Sequence, residues 1–459
     1  MKNNLSNDVD LIVDEVHVGN KEGFLMPNEI TRRNFTKTSV AAALGVAAAR
    51  GARAQNANDK IRLGFIGVGN RGGQLINAFM EYDDKEIVAI CDVYEPYLAK
   101  QKERIGGNVE TYSDFRKIID HPGIDAVVIA TPDHWHAIMT IDACNAGKDV
   151  YCEKPLSITI HEGRKMVEAA RRNKRIVQVG THRRSSPLYH RLYDYMQTGA
   201  IGHVTVGRSY RLSNMYPNGM GKSPHMDPPK DLDWDMWLGP RPARPYQDNI
   251  APYKFRWWQQ YSSQMGNWGV HYLDASRWMT GDLAPSSVCA MGGQFIIDDD
   301  RTVPDTMEAV FQLPSGRLFI FGQYEASGHP ALRQGEVELR GTQGTIYVSG
   351  GQFEVFPERG GQFQDRKPRM EPMKDQDKGS NADMTALHAR NFLDCVRSRE
   401  LPHADVEIGH RSTTFSLLAN ISQATGLRLE WDAEKEQITN SKEANALLHY
   451  EYRGDWKLG

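Results

Sequence analysis

Ile61-Arg62-Leu63-Gly64-Phe65-Ile66-Gly67-Val68-Gly69-Asn70-Arg71-Gly72 decides the fold. A short apolar strand runs straight into GxGxxG, and Gln74–Met80 continues with helical spacing, which is the strand-turn-helix context a dinucleotide fingerprint requires. The first glycine makes the tight turn, the second lets backbone approach a pyrophosphate, and the third lets helix pack on strand. A second strand, Glu86–Cys91, ends in Asp92, 20 residues beyond Gly72. An acid there hydrogen-bonds ribose hydroxyls and repels a 2′-phosphate, so NAD is expected over NADP. Arg71 inside the loop keeps NADP as the lesser option.

Further apolar runs follow. Ala126–Ala130 stops at Thr131-Pro132-Asp133-His134-Trp135-His136, Asp149–Cys152 reaches Glu153-Lys154-Pro155, and Val177–Gly180 ends in Thr181-His182-Arg183-Arg184. Strand and helix patterns alternate from 61 to about 180, the signature of a doubly wound parallel sheet with ligands gathered at its carboxyl strand ends.

Composition bounds the rest. The 459 residues suffice for two or three domains at roughly 150 residues each, and the formal charge of −3 offers no basic field for nucleic acid or an anionic membrane. Five dispersed cysteines form neither a CxxC pair nor a zinc pattern, and read as reduced thiols. No stretch reaches the roughly 20 apolar residues of a membrane span. A small-molecule substrate is expected.

Near the start, Thr31-Arg32-Arg33-Asn34-Phe35 precedes the weakly apolar run Ser39–Ala49 and then Ala52-Arg53-Ala54. A basic region, a short apolar run and an AxA site make an export signal. The paired arginines resemble a twin-arginine signal, which carries folded proteins across the inner membrane. Residues 1–54 are therefore set apart as a leader, and the expected location is periplasmic.

Together, the glycine loop, the ATPxxxH turn (Ala130–His136) and the Glu153-Lys154-Pro155 tripeptide resemble the glucose-fructose oxidoreductase, inositol dehydrogenase and MocA family over residues 60–430. The resemblance implies a Rossmann domain (55–180), an α/β domain with a large, open, mainly antiparallel sheet (181–430), then a C-terminal tail (431–459). It implies a nicotinamide cofactor in the cleft between them, and oxidation of a secondary hydroxyl of a sugar or cyclitol. By that resemblance Lys154 contacts substrate and cofactor, with Pro155 cis. Gly67, Gly69, Asn70, Arg71, Gly72, Asp92, Thr131, Pro132, Asp133, Trp135, His136, Glu153, Lys154 and His182 are the expected cofactor-binding residues.

The family's later aspartate-xxx-histidine pair stands here as Asn267 and His271, expected on one helical face. Asparagine cannot accept a proton, so the base role is expected at His271 with Lys154 assisting, and Asp274, one turn on, becomes a candidate substitute. Residues 213–262 are rich in aromatics, which either stack on sugar rings or pack a compact loop. Arg183, Tyr253, Arg256 and Trp257 are expected at the substrate, beside Asn267 and His271.

Strand patterns recur at 307–313, 318–324, 337–340 and 345–348, then a polar irregular stretch (362–383), then helices at 384–397 and 407–425. A flat sheet face suggests a homodimer or homotetramer. The leading expectation is an NAD-dependent sugar or glycoside dehydrogenase with a tightly held, recycled cofactor. The second is a glycosidase or lyase that oxidises C3 transiently, eliminates the aglycone and reduces back, without paired catalytic carboxylates. No metal is expected.

Overall fold

The computed structural model describes residues 60–331, 336–377 and 383–459; the export-signal reading of residues 1–54 lies outside them. The first sheet is fully parallel, in the order β3-β2-β1-β4-β5-β6: β1 Ile61–Ile66, β2 Lys85–Cys91, β3 Glu110–Tyr112, β4 Ala126–Ile129, β5 Asp149–Cys152 and β6 Val177–Val179. Every residue of β4, β5 and β6 is buried, as in sheets covered on both faces. Strand order reverses between β1 and β4, which both pair in parallel with their neighbours. That switch point opens a crevice at the carboxyl ends of the strands. The longer helices of this half are α1 Asn70–Met80, α2 Glu95–Ile105, α3 His136–Asn145 and α4 Ile160–Arg172. Helix α4 starts with a capping box between Thr159 and Glu162.

Helix α5 (Pro187–Gln197) leads into the second sheet. Its strands are β7 Val204–Leu212, β8 Ser287–Gly293, β9 Thr306–Gln312, β10 Leu318–Tyr324, β11 Val337–Gly341, β12 Gly344–Ser349, β13 Gln352–Pro357, β14 Met373–Gln376, β15 Leu429–Asp432 and β16 Gln437–Ile438. They run in the order β14-β13-β12-β11-β7-β10-β9-β8-β15-β16, antiparallel except for the β7–β10 pair. One face packs Phe311, Phe319, Leu339 and Phe353 against Leu188 and Leu192 of α5, Leu273 of α6 (Val270–Thr280) and Phe415 of α8 (Val406–Thr425). The stretch 362–383, expected to be irregular, contributes the edge strand β14, whose Lys374 pairs with Glu354.

Helix α7 (Met384–Ser398) returns to the first sheet, where Phe392 meets Phe79 and Tyr151 edge-on. Arg390 binds Asp84 from the same helix. The last residues are folded too: Trp456 stacks on Phe115 and meets Trp135 edge-on at 4.8 Å, and Tyr452 donates to Glu162. Among the described residues no helix is long and apolar enough to cross a membrane.

Candidate active site

The glycine loop closes β1 onto α1. Gly67 adopts φ +80, and a Cβ there would sit 2.7 Å from the Ala130 carbonyl carbon. At Gly72 a Cβ would lie 2.0 Å from the Gly67 oxygen, so this glycine serves loop closure and does not line the cleft. Helix α1 begins at Gly69 with no side-chain cap and no acid in its first turn. Its amide groups and the positive end of its dipole are thus free for an anion.

Around this loop lies a cleft of about 1230 Å³. Gly67, Gly69, Asn70, Arg71, Asp92, Thr131, Pro132, Asp133, Trp135, Glu153 and Lys154 all line it. Asp92 accepts from the Val68 amide at 2.8 Å and the Tyr94 amide at 3.0 Å. Burial pushes its carboxyl up to about 6, opposed by these amides, so it is ionised at neutral pH. An uncapped helix start, glycines that leave room for backbone approach and an ionised acid at the end of β2 fit an NAD-type dinucleotide.

His136 belongs elsewhere. Its ring is buried, with Nδ1 on the Pro155 carbonyl at 2.7 Å and Nε2 on the Thr131 carbonyl at 3.1 Å. It ties the turn after β4 to the turn after β5 and does not line the cleft. His182 lines a second, adjoining space rather than the dinucleotide cleft.

That second space, about 1270 Å³, gathers Arg183, Tyr253, Arg256, Trp257, Asn267 and His271, together with His182 and Lys154. Arg71, Lys154, Tyr253, Arg256 and Asn267 face both spaces, so the two meet at the lysine. The Lys154–Pro155 peptide is cis. Lys154 Nζ donates to the Asn267 side-chain and backbone oxygens, both at 2.8 Å. Burial lowers its ammonium to about 8, against the pull of Glu153 and Asp133. Glu153 itself is held by Arg71 Nε at 2.7 Å.

Asn267 and His271 do not share a regular α-helix. Asn267 lies in a π-turn, Met265–Gly269, and His271 in the first turn of α6. Such turns widen the helix locally and frequently mark functional sites. Here Gly266 packs against the Pro155 ring and Gly269 against Phe321. Uniform 3.6-residue spacing could not reveal the extra residue.

His271 is buried with Nδ1 unpartnered, and its ring centroid is 5.1 Å from that of His182. Burial, and then Lys154 and Arg183, hold it well below the ordinary histidine value, so it is neutral. Asp274 does not substitute for the missing acid. It is 1% exposed, accepts from Arg184 Nε at 2.8 Å and takes the Ser412 hydroxyl. This ion pair locks the start of α5 to α6 and α8, behind the site.

The aromatic segment divides between the two readings. Trp237, Tyr246, Trp258 and Tyr261 form a satellite core, while Tyr253 and Trp257 face the pocket. Trp257 donates its indole N–H to Glu325 at 3.0 Å. Glu325, also bound by Gln264 and Arg301, escaped sequence reasoning, as did Arg211, Ser213 and Trp268. They arrive on β7, β10 and the π-turn, whose meeting is a long-range event without a local signal.

Fold and site define a two-domain, dinucleotide-binding oxidoreductase scaffold. A family model described as "Oxidoreductase family, NAD-binding Rossmann fold" matches residues 61–181, and one described as "Oxidoreductase family, C-terminal alpha/beta domain" matches 203–458; the chain belongs to this Gfo/Idh/MocA family. It is 31% identical over 272 residues to levoglucosan dehydrogenase of Pseudarthrobacter phenanthrenivorans, covering 55% of this chain and 62% of that protein. It is also 31% identical over 176 residues to glycosyl hydrolase family 109 protein 1 of Shewanella sp. MR-4, covering 32% and 38%. The chain thus spans less than two thirds of these curated relatives. A solved levoglucosan dehydrogenase in complex with NADH and levoglucosan shares the fold, with TM-score 0.62, 20% identity, 81% of this chain and 99% of that one covered.

Proposed function

We propose that the protein is an NAD-dependent oxidoreductase that converts a secondary hydroxyl of a sugar or glycoside to a ketone. The observation that carries this is Lys154, held by Asn267 where the dinucleotide cleft and the polar pocket meet. Bound NAD supplies hydride acceptance, which no side chain provides.

The chain's own residues must place the hydroxyl and take its proton. Lys154, with its ammonium lowered to about 8, is matched to accept a proton near neutral pH. His271 is neutral but has no carboxylate behind it, so its conjugate acid lacks support. The base role expected of His271 therefore passes to Lys154, and His271 orients the hydroxyl by hydrogen bonding. Trp257 and Tyr253 offer aromatic faces to a sugar ring, and Arg71 and Glu153 fix the lysine's backbone.

We extend the reading to a periplasmic protein exported folded with its cofactor, on the strength of Arg32-Arg33 and the AxA site. A cofactor held outside the cytoplasm must be re-oxidised by a second substrate or within one cycle. The exposed Met291 and Leu318 on the open sheet face support a homo-oligomer. A second reading, transient C3 oxidation with elimination and no net redox change, is favoured by Asn267 in place of an acid and by the likeness to a glycosyl hydrolase family 109 protein.

The test is the absorbance of the purified protein as a panel of glycosides is added. A bound dinucleotide that is reduced and stays reduced establishes the dehydrogenase. Aglycone release with no lasting reduced band establishes the redox-neutral reading. Absence of any dinucleotide binding refutes both.

A further inference from the structure

The charges of the polar pocket bear on what carries the hydroxyl, an inference that rests on the oxidoreductase reading. Arg71 is neutralised by Glu153 and Arg183 by Glu336. The pocket's one lining carboxylate, Glu325, is fully engaged by Trp257, Gln264 and Arg301. Arg256 also lines the pocket without an ion pair among the described residues, but its Nη1 donates to the Tyr253 carbonyl at 2.9 Å; Arg211 lacks even that. Arg211 projects from the end of β7 with its guanidinium 3.9 Å from the Trp268 ring centroid. Among the described residues its guanidinium forms neither an ion pair within 4.0 Å nor a hydrogen bond.

Two residues further on, Ser213 lies on the same side of the extended chain. It lines the same pocket, and its hydroxyl is buried without a partner. This end of the pocket therefore presents a guanidinium fork, preorganised by stacking on an indole, next to an unused hydroxyl donor. A neutral sugar hydroxyl brings a donor wherever it brings an acceptor, and the one nearby carboxylate is already occupied. A planar group that only accepts, and carries negative charge, matches the fork.

We propose that the substrate is an anionic sugar, a uronic or aldonic acid, whose carboxylate is bound by Arg211 and Ser213 while its reacting hydroxyl lies at Lys154 and His271. Glu325 contributes to selectivity by holding Trp257 and Gln264 in place.

The test titrates the purified full chain with glucuronate and galacturonate against glucose and galactose. It follows both tryptophan fluorescence and reduction of the bound dinucleotide. A charge-assisted pair predicts binding about 10- to 100-fold tighter for the acids. That preference falls with added salt, vanishes in Arg211→Met and survives in part in Arg211→Lys. Equal or tighter binding of the neutral sugars, or a preference retained in Arg211→Met, overturns the proposal. Glucose 6-phosphate bound more tightly than either acid overturns the carboxylate assignment in favour of a phosphate. The two claims fail separately. Reduction by neutral sugars alone keeps the oxidoreductase and removes the anion site. Arg211-dependent binding of the acids without reduction keeps the anion site and removes the oxidoreductase.

Discussion

Replacing Asn267 by aspartate places a carboxylate where an amide oxygen now lies 2.8 Å from Lys154 Nζ. Lys154 holds its proton to about 8 because burial penalises its charge. An opposite charge this close raises a cation's pKa by about 1–3 units, moving Lys154 to about 9–11. The neutral, proton-accepting fraction at pH 7.5 is about a quarter for a pKa of 8. It falls to about 0.3% for a pKa of 10, a loss of about 75-fold by the Henderson relation. The sign follows from the direction of reaction. Hydroxyl oxidation needs the neutral lysine, so its rate rises with pH through about 8. Ketone reduction needs the ammonium, so its rate falls over the same range. The assay is the pH dependence of single-turnover reduction of the bound dinucleotide between pH 6 and 10. Asn267→Asp is expected to move the rising limb upward by 1–3 units, while Asn267→Ala leaves it at or below the wild-type position. A limb that stays at about 8 in Asn267→Asp, or a wild-type rate flat across this range, refutes Lys154 as the proton acceptor.

Three other outcomes are expected. Asp274→Ala strands Arg184 in a buried site and costs about 3–5 kcal/mol in chemical denaturation, with the pH limb unmoved; a shifted limb would instead give Asp274 a part in catalysis. Trp456→Ala removes the ring against Trp135 and Phe115, both on the wall of the dinucleotide cleft. It should weaken NAD binding several-fold by calorimetry and lower stability by about 1–3 kcal/mol. Cys289 is the one exposed cysteine of five, so thiol titration of the native chain should count one fast-reacting group, abolished by Cys289→Ser.

What could be read before the structure follows from how local each feature is. The glycine loop, Asp92 and the Lys154 tripeptide are strand-end features, set by a run of apolar residues and the turn that stops it, and these spacings carry over directly into three dimensions. The β10 range 318–324 and the helix beginning at Met384 were equally legible, because alternation and helical spacing persist over several residues. Asn267 was recognised as a site residue but assigned to the wrong local geometry, since a π-turn differs from an α-turn by one residue and leaves no mark on the pattern of apolar positions. His136 belongs to a motif and yet serves two backbone carbonyls, a distinction only burial reveals. Arg211, Ser213 and Glu325 were invisible because β7 and β10 lie about a hundred residues apart and pair in parallel. Likewise, nothing local indicates that Trp456 closes the back of a cleft begun at residue 67.

Net hydride transfer from a sugar carbon to the dinucleotide beside Lys154 is the central claim, and isotope tracing tests it most directly. The NAD-loaded protein would be mixed in stoichiometric amounts with a sugar deuterated at its ring carbons, and the released dinucleotide weighed by mass spectrometry. The account predicts a reduced dinucleotide carrying one deuterium, formed by the wild type and suppressed in Lys154→Met. A dinucleotide recovered oxidised and free of deuterium, while the sugar is consumed, would contradict it.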